Sequence, residues 1–340
     1  MSVKKLDQNA LDAWVDGLVG GQRVFAVQAK GDRFAFEPLK SASALRLDYD
    51  VTILPPKKFF LPQREDLLTF KGPGEYKSVL DPEPFVLLGV HPYDFVAIRQ
   101  MDAIFAMDND DIHYRTRREA ATIVVCDVQN ASENVFAGCM NTAVVEDGYD
   151  VLITKIGENY LVDAKTDKGQ ALIKGVNSPE ASAADIAERG KVWEANRAGL
   201  RKHELKCAPA DLPSLLEKSY DHPVWAEKAE KCFSCGSCNL VCPTCYCFDV
   251  QDDIDWNMES GRRYRCWDGC MLTDFATVAG NHNFRPGKDE RFRHRYYRKG
   301  KYIPDKIGEI ACVGCGRCIT ACVADIANPV EIYNKLTEGN

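Results

Sequence analysis

Between Leu11 and Val19 the apolar residues of LDAWVDGLV recur at helical spacing and stop at Gly20-Gly21, which predicts an N-terminal helix. The period then changes. RVFAVQAKGDRFAFEPL alternates about Lys30-Gly31-Asp32, and YDVLITKIGENYLVDA about Gly157-Glu158-Asn159, so each predicts a β-hairpin. PFVLLGVHPYDFVAIRQMDAIF predicts a buried strand, a turn at His91-Pro92 and a helix, and ATIVVCDV predicts another buried strand. Residues 180–204 read as helix and run into the proline-punctuated CAPADLP, taken as a domain boundary. The expected fold is α+β: a mixed α/β domain over residues 1–206, then a second domain over 207–340. In the latter, MLTDFATV (Met271 to Val278) carries helical periodicity.

Composition narrows the class. A chain of 340 residues suits two domains, and 45% hydrophobic with 27% charged residues is ordinary for a globular protein. The longest apolar run, Phe85 to Val90, is far too short to span a bilayer. A net charge of −7 argues against a general nucleic-acid binder. Fifteen cysteines, behind a charged start without a secretory pattern, predict a reducing cytoplasm in which thiolates are free for metal.

Eight of those cysteines fall into two copies of one spacing. CFSCGSCNLVCP supplies Cys232, Cys235, Cys238 and Cys242, with Pro243 after the last; CVGCGRCITACV supplies Cys312, Cys315, Cys318 and Cys322. C-x2-C-x2-C-x3-C is the run that binds cubane [4Fe–4S] clusters in bacterial-type ferredoxins, where the fourth thiolate is carried away to the other cluster. The expected ligand sets are therefore crossed. Cys232, Cys235, Cys238 and Cys322 hold one cluster, and Cys312, Cys315, Cys318 and Cys242 the other. Zinc sites draw on two CxxC pairs and have no need of four cysteines in one run. A disulfide framework belongs to much shorter secreted chains. The expected chemistry is electron transfer.

Cys245 and Cys247 follow the first run directly, and Cys266 and Cys270 sit four apart in RCWDGC, on one face were that segment helical. These four are candidates for a third cluster or a zinc; the plainer reading is small buried side chains around the cluster pocket. Cys126, Cys139 and Cys207 read as structural. Residues 285–302, RPGKDERFRHRYYRKGKY, are strongly basic. A solvated helix face is the plain account and a docking surface on Arg291, Arg295 and Arg298 the sharper one. The acidic stretch of Asp249, Asp252, Asp253, Asp255 and Glu259 is the alternative partner for those cations. PPKKFF, with Lys57 and Lys58, reads as a strand-entry loop. Asp94 is placed to cap the helix that follows His91. There is no phosphate loop, dinucleotide fingerprint or nucleophile constellation, and no catalytic residue is assigned.

Two cluster runs separated by a helical insert resemble the α-helical ferredoxin fold. More specifically, PPKKFFLP (55–62), GVHPYDFVAI (89–98), YDVLITKIG (149–157), CPTCYCFDV (242–250), RCWDGC (265–270), HNFRP (282–286) and RHRYYRK (293–299) accompany both cysteine runs. With them the chain resembles the β subunits of cytoplasmic nickel–iron sulfhydrogenases, with the iron–sulfur component of anaerobic sulfite reductase as a relative. The resemblance implies a relay of two [4Fe–4S] clusters beside a partner subunit that binds FAD and NAD(P). Hydrogenase or sulfur/sulfite reductase catalytic subunits complete such a complex, in an anaerobic setting. Two departures stand out: Val135 and Ala137 in VFAGCMNTA occupy the places of a further CFC-like pair, and Val323 replaces the usual proline after the last ligand.

The expected protein is thus a non-catalytic electron-relay subunit. One alternative is a reductase component that acts directly on a sulfur compound at a third metal site of Cys245, Cys247, Cys266 and Cys270. Another is a scaffold whose clusters only hold the fold.

Overall fold

The computed structural model describes residues 3–338. The chain opens with β1 (Val3–Leu6), α1 (Gln8–Gly21), β2 (Val24–Lys30) and β3 (Arg33–Pro38). It continues through β4 (Arg64–Lys71), β5 (Tyr76–Ser78), β6 (Phe85–Val90), α2 (Pro92–Phe105), α3 (Ile112–Ala120) and β7 (Ala121–Cys126). The hairpin β8 (Val151–Ile156) and β9 (Asn159–Ala164) follows, then α4 (Asp167–Ile173) and α5 (Ala183–Gly199). Asp7 caps α1 by accepting from the Ala10 amide at 2.8 Å. Asp94 does not cap α2. It lies in that helix's first turn, and its carboxylate is taken up by Arg317.

Seven strands form one sheet in the order β1-β9-β8-β7-β6-β2-β3. Its centre, β2-β6-β7-β8, is parallel, and its margins are antiparallel. Val86 and Leu88 pack against Trp14 and Leu18 of α1 on one face. Leu87, Ile123 and Val125 pack against Phe95 and Ile98 of α2 on the other. Burial of both faces accounts for the continuous apolar runs in these strands.

The remainder carries α6 (Leu212–Lys218), α7 (Val224–Glu230), α8 (Ser237–Leu240), β10 (Phe248–Ile254), β11 (Ser260–Trp267) and α9 (Lys288–Tyr297). A π-helical turn, Arg298–Tyr302, prolongs α9, and α10 (Pro304–Ile307), α11 (Arg317–Thr320) and α12 (Pro329–Glu338) complete the chain. Trp225, Phe292, Tyr296, Ile332 and Tyr333 form the core of this helical part.

A second, antiparallel sheet runs β10-β11-β4-β5, so strands from either side of residue 207 share one ladder. At its base, buried Glu65 receives both Arg117 and Arg265. The acidic stretch belongs to this sheet. Asp252 and Asp253 pair across the hairpin with Arg263 and Arg262, not with the basic segment 285–302.

MLTDFATV is not helical: it forms turns and the short strand Thr277–Val278, paired with His282–Asn283. The stretch is bracketed by Gly269 and a left-handed Gly280-Asn281 pair, and so is too short to sustain a helix by its own propensity. The Met271 amide is instead held by the side chain of Asn239 at 3.1 Å.

Candidate iron–sulfur centres

Both cysteine runs take the same local form. Each begins as an extended turn, reaches a left-handed glycine (Gly236, φ +72°; Gly316, φ +77°) and enters a one-turn helix, α8 or α11. The helix carries the last cysteine of each run away from the first three. As a result the cysteines sort into two cavities. One is lined by Cys312, Cys315, Cys318 and Cys242, the other by Cys232, Cys235, Cys238 and Cys322. The second reaches the surface: Cys235 is exposed, and the adjoining Phe233 and Val323 are 71% and 82% exposed. Cys315 and Cys318 are buried.

The residues around these cavities fit an anionic thiolate-bound group. Arg291, Arg295 and Lys299 recur every four residues along α9 and its π-helical extension, so they share one face. That face points inward, and all three are buried. Arg291 donates to Ser234 Oγ, inside the first run, at 3.1 Å. Arg295 lies within electrostatic reach of Cys238 of one cavity and of Cys318 and Cys242 of the other, and its Nε has no hydrogen-bond partner. The buried hydroxyls of Tyr296 and Tyr333, which also line the Cys312 cavity, are likewise unpartnered. Buried cations and orphaned donors of this kind call for a negative charge in the cavity. Burial pushes the free thiols of Cys238 and Cys312 up to about 12, a condition that metal ligation reverses by taking the proton's place. Amide donors to sulfur are in position: Ser234 N to Cys232 Sγ and Ile326 N to Cys322 Sγ, both at 3.4 Å.

The basic segment is therefore neither a solvated face nor a docking surface built on Arg291 and Arg295. Only Arg298 of that trio is partly exposed, and it stacks on Tyr246 at 4.8 Å. The helical periodicity of the cations, visible in the sequence, was the signal that pointed to a common face.

The N-terminal part grips the second run directly. Phe136 N donates to Gly314 O and Thr142 Oγ1 to Val313 O, each at 2.7 Å. A Cβ on Gly314 would come within 2.6 Å of Ala137 N, and one on Gly316 within 2.3 Å of Asn134 O. VFAGCMNTA thus serves as the surface onto which the second run is pressed. Lys57 is also drawn in. It is the second residue of a 3-10 turn, Pro56–Phe59, is buried, donates to Cys245 O at 2.8 Å and lies over the Trp267 ring at 4.1 Å. Burial, against the pull of the neighbouring Cys245 and Cys242, brings its pKa down to about 8.

Of the remaining cysteines, Cys245, Cys247 and Cys270 line one small cavity, and Cys266 is not among them. Cys266 lies on β11 in register with Asp249 and Arg64. Cys126 ends β7 in the sheet core, Cys139 donates to His203 O at 3.2 Å, and Cys207 packs at the edge of the helical core. His91 is fully buried, stacked on Tyr49 at 3.9 Å with Nδ1 2.6 Å from Tyr93 Oη, and burial holds it neutral. Among the described residues no helix is long and apolar enough to cross a membrane.

Two four-cysteine cavities, one of them also lined by buried Arg295 and Lys299, suit the class of 4Fe–4S dicluster proteins, and residues 231–326 match the 4Fe–4S dicluster domain family. The likeness extends well beyond that domain. Over 318 residues the chain is 34% identical to sulfhydrogenase 2 subunit beta of Pyrococcus furiosus, covering 93% of each protein. The chain belongs to the sulfhydrogenase β-subunit family.

Proposed function

We propose that this chain is the electron-relay subunit of a cytoplasmic redox complex. It passes electrons between a subunit that binds FAD and NAD(P) and a catalytic subunit of hydrogenase or sulfur/sulfite reductase type. In this reading Cys232, Cys235, Cys238 and Cys322 ligate one [4Fe–4S] cluster, and Cys312, Cys315, Cys318 and Cys242 ligate the second, within a ferredoxin-like arrangement of α-helices. Such clusters supply reversible one-electron chemistry. The protein's part is position and electrostatics. Arg295, buried between the two groups of thiols, favours an added electron on either side of it. The surface-reaching Cys235 cavity is the natural point of exchange with a partner, while buried Cys315 and Cys318 keep the other site from water.

The carrying observation is the pair of four-thiol cavities with the buried Arg295, its Nε unpartnered, within electrostatic reach of both. The test is anaerobic purification of the tagged chain from its native cells, with partners identified by mass and cluster reduction followed optically. NAD(P)H should bleach the clusters only when a flavin-containing partner is present. Clusters that cannot be reduced would mark a scaffold, and turnover of a sulfur compound by the isolated chain would mark a reductase.

A further inference from the structure

The cavity lined by Cys245, Cys247 and Cys270 is not accounted for by either four-cysteine group. Its cysteines come from two separate segments, the turn after Cys242 and the turn after β11, and α9 with its π-helical extension closes it. It is smaller than either four-cysteine cavity.

Asn239 is the buried residue that organises it. Its Oδ1 accepts from the Met271 amide at 3.1 Å, which turns Nδ2 toward sulfur: Cys245 Sγ and Cys270 Sγ each lie 3.6 Å away. Gly269 is pressed against the same side chain, since a Cβ there would meet Asn239 Oδ1 at 2.7 Å. A fixed amide donor shared by two thiols is how protein environments stabilise cluster-bound sulfur.

Charge points the same way. Arg295, Arg298 and Lys299 line the cavity, and Lys57 reaches it through the Cys245 carbonyl. Among the described residues none of the four has a carboxylate within ion-pair distance; Lys299 donates to Thr244 Oγ1 at 2.7 Å, and Arg295 Nε has no partner. Arg295 and Lys299 are buried there, and unpaired buried charge is strongly unfavourable, so an anionic group suits this cavity.

We propose that Cys245, Cys247 and Cys270 hold a third iron–sulfur cluster, with one iron left to a ligand other than cysteine. Cys266 takes no part in it. The proposal rests on the two-cluster reading for its neighbours and is separable from it by counting. The full chain, isolated anaerobically and reconstituted with iron and sulfide, should bind about twelve irons and twelve sulfides. Replacing Cys245, Cys247 and Cys270 together by Ser should lower both to about eight, Cys270→Ser alone should lose iron from the same site, and Cys266→Ser should keep about twelve. About eight irons in the wild-type chain, or no loss in Cys270→Ser, would overturn the third cluster and leave the relay reading intact. About four or fewer in the wild type would overturn both.

Discussion

Arg317 holds Asp94 through two parallel hydrogen bonds, Nη1 to Oδ1 at 2.7 Å and Nη2 to Oδ2 at 2.6 Å, with both side chains buried. Arg317 sits between Cys315 and Cys318; Asp94 belongs to the first turn of the helix that follows β6. The remaining guanidinium donors go to Thr52, at 2.8 Å to its carbonyl and 2.9 Å to its hydroxyl. One residue of the second cysteine run is thus locked onto the N-terminal part of the chain, through α2 and the segment at Thr52.

Removing one partner leaves the other charge buried and uncompensated. Arg317→Ala or Asp94→Asn is expected to destabilise the protein by about 3–5 kcal/mol. The double replacement Arg317→Met/Asp94→Leu should cost much less than either, because no charge is left behind. Denaturant midpoints of the three variants check this, and a double variant worse than both singles would contradict it.

The close approach of the second run to residues 134–137 predicts a different sensitivity. Gly316→Ala combines a left-handed backbone with a 2.3 Å approach to a carbonyl, and is expected to cost at least about 2 kcal/mol. Gly280→Ala has the same backbone handedness but open space around its Cβ, and should cost only about 1 kcal/mol. Iron retention on mild heating compares the two; equal retention would remove the role given to the 134–137 contact.

Lys299 predicts a shift in potential. Its buried ammonium stands beside Cys242 and Cys245, and although burial opposes its charge, the thiolates raise its pKa. Lys299→Met should lower the midpoint potential of the cluster in the Cys312 cavity, on the order of 100 mV for a unit charge a few ångströms away at an intermediate dielectric. Lys301→Met, whose Nζ pairs with Glu217 and Asp305 nearer the surface, should leave it in place. An EPR-monitored redox titration distinguishes them, and equal potentials in the two variants would contradict the assignment.

Asp127 gives the pH dependence a sign. Burial pushes its carboxyl up to about 6, against the hydrogen bonds from Thr154 at 2.6 Å and Trp193 at 2.9 Å. The folded state therefore binds a proton that the unfolded chain, with an ordinary pKa of about 3.9, releases between those values. This group's contribution to stability rises as pH falls from about 7 to about 4, by at most about 3 kcal/mol, and flattens below. Asp127→Asn should abolish that slope. Denaturation midpoints of the two proteins between pH 7 and pH 5, where the comparison is within one cluster state, would show parallel curves if Asp127 were not responsible.

Much of this architecture was legible in residue patterns. The hairpins around Gly31 and Gly157, the strands 85–90 and 121–126 and the helix after His91-Pro92 all follow from period and turn chemistry. The failures share one cause. Asp94, Arg291 and Arg295 look like surface or capping residues in isolation, because their partners lie far off in sequence or in a cavity. MLTDFATV had helical spacing but lacked the length to form a helix against the tertiary hold on Met271. The pairing of β4 with β11 left no local sign, since neither strand alternates cleanly and a ladder between segments 200 residues apart is not encoded in either alone.

The central claim is that two crossed sets of cysteines hold two clusters in relay, and ligand substitution tests it most directly. Cys242→Ser, Cys315→Ser and Cys235→Ser are to be compared by EPR of the anaerobically reduced protein. Cys242→Ser should perturb the same signal as Cys315→Ser and leave the signal sensitive to Cys235→Ser unchanged. If Cys242→Ser instead alters the Cys235 signal and spares the Cys315 signal, the crossed arrangement, and the relay built on it, is wrong.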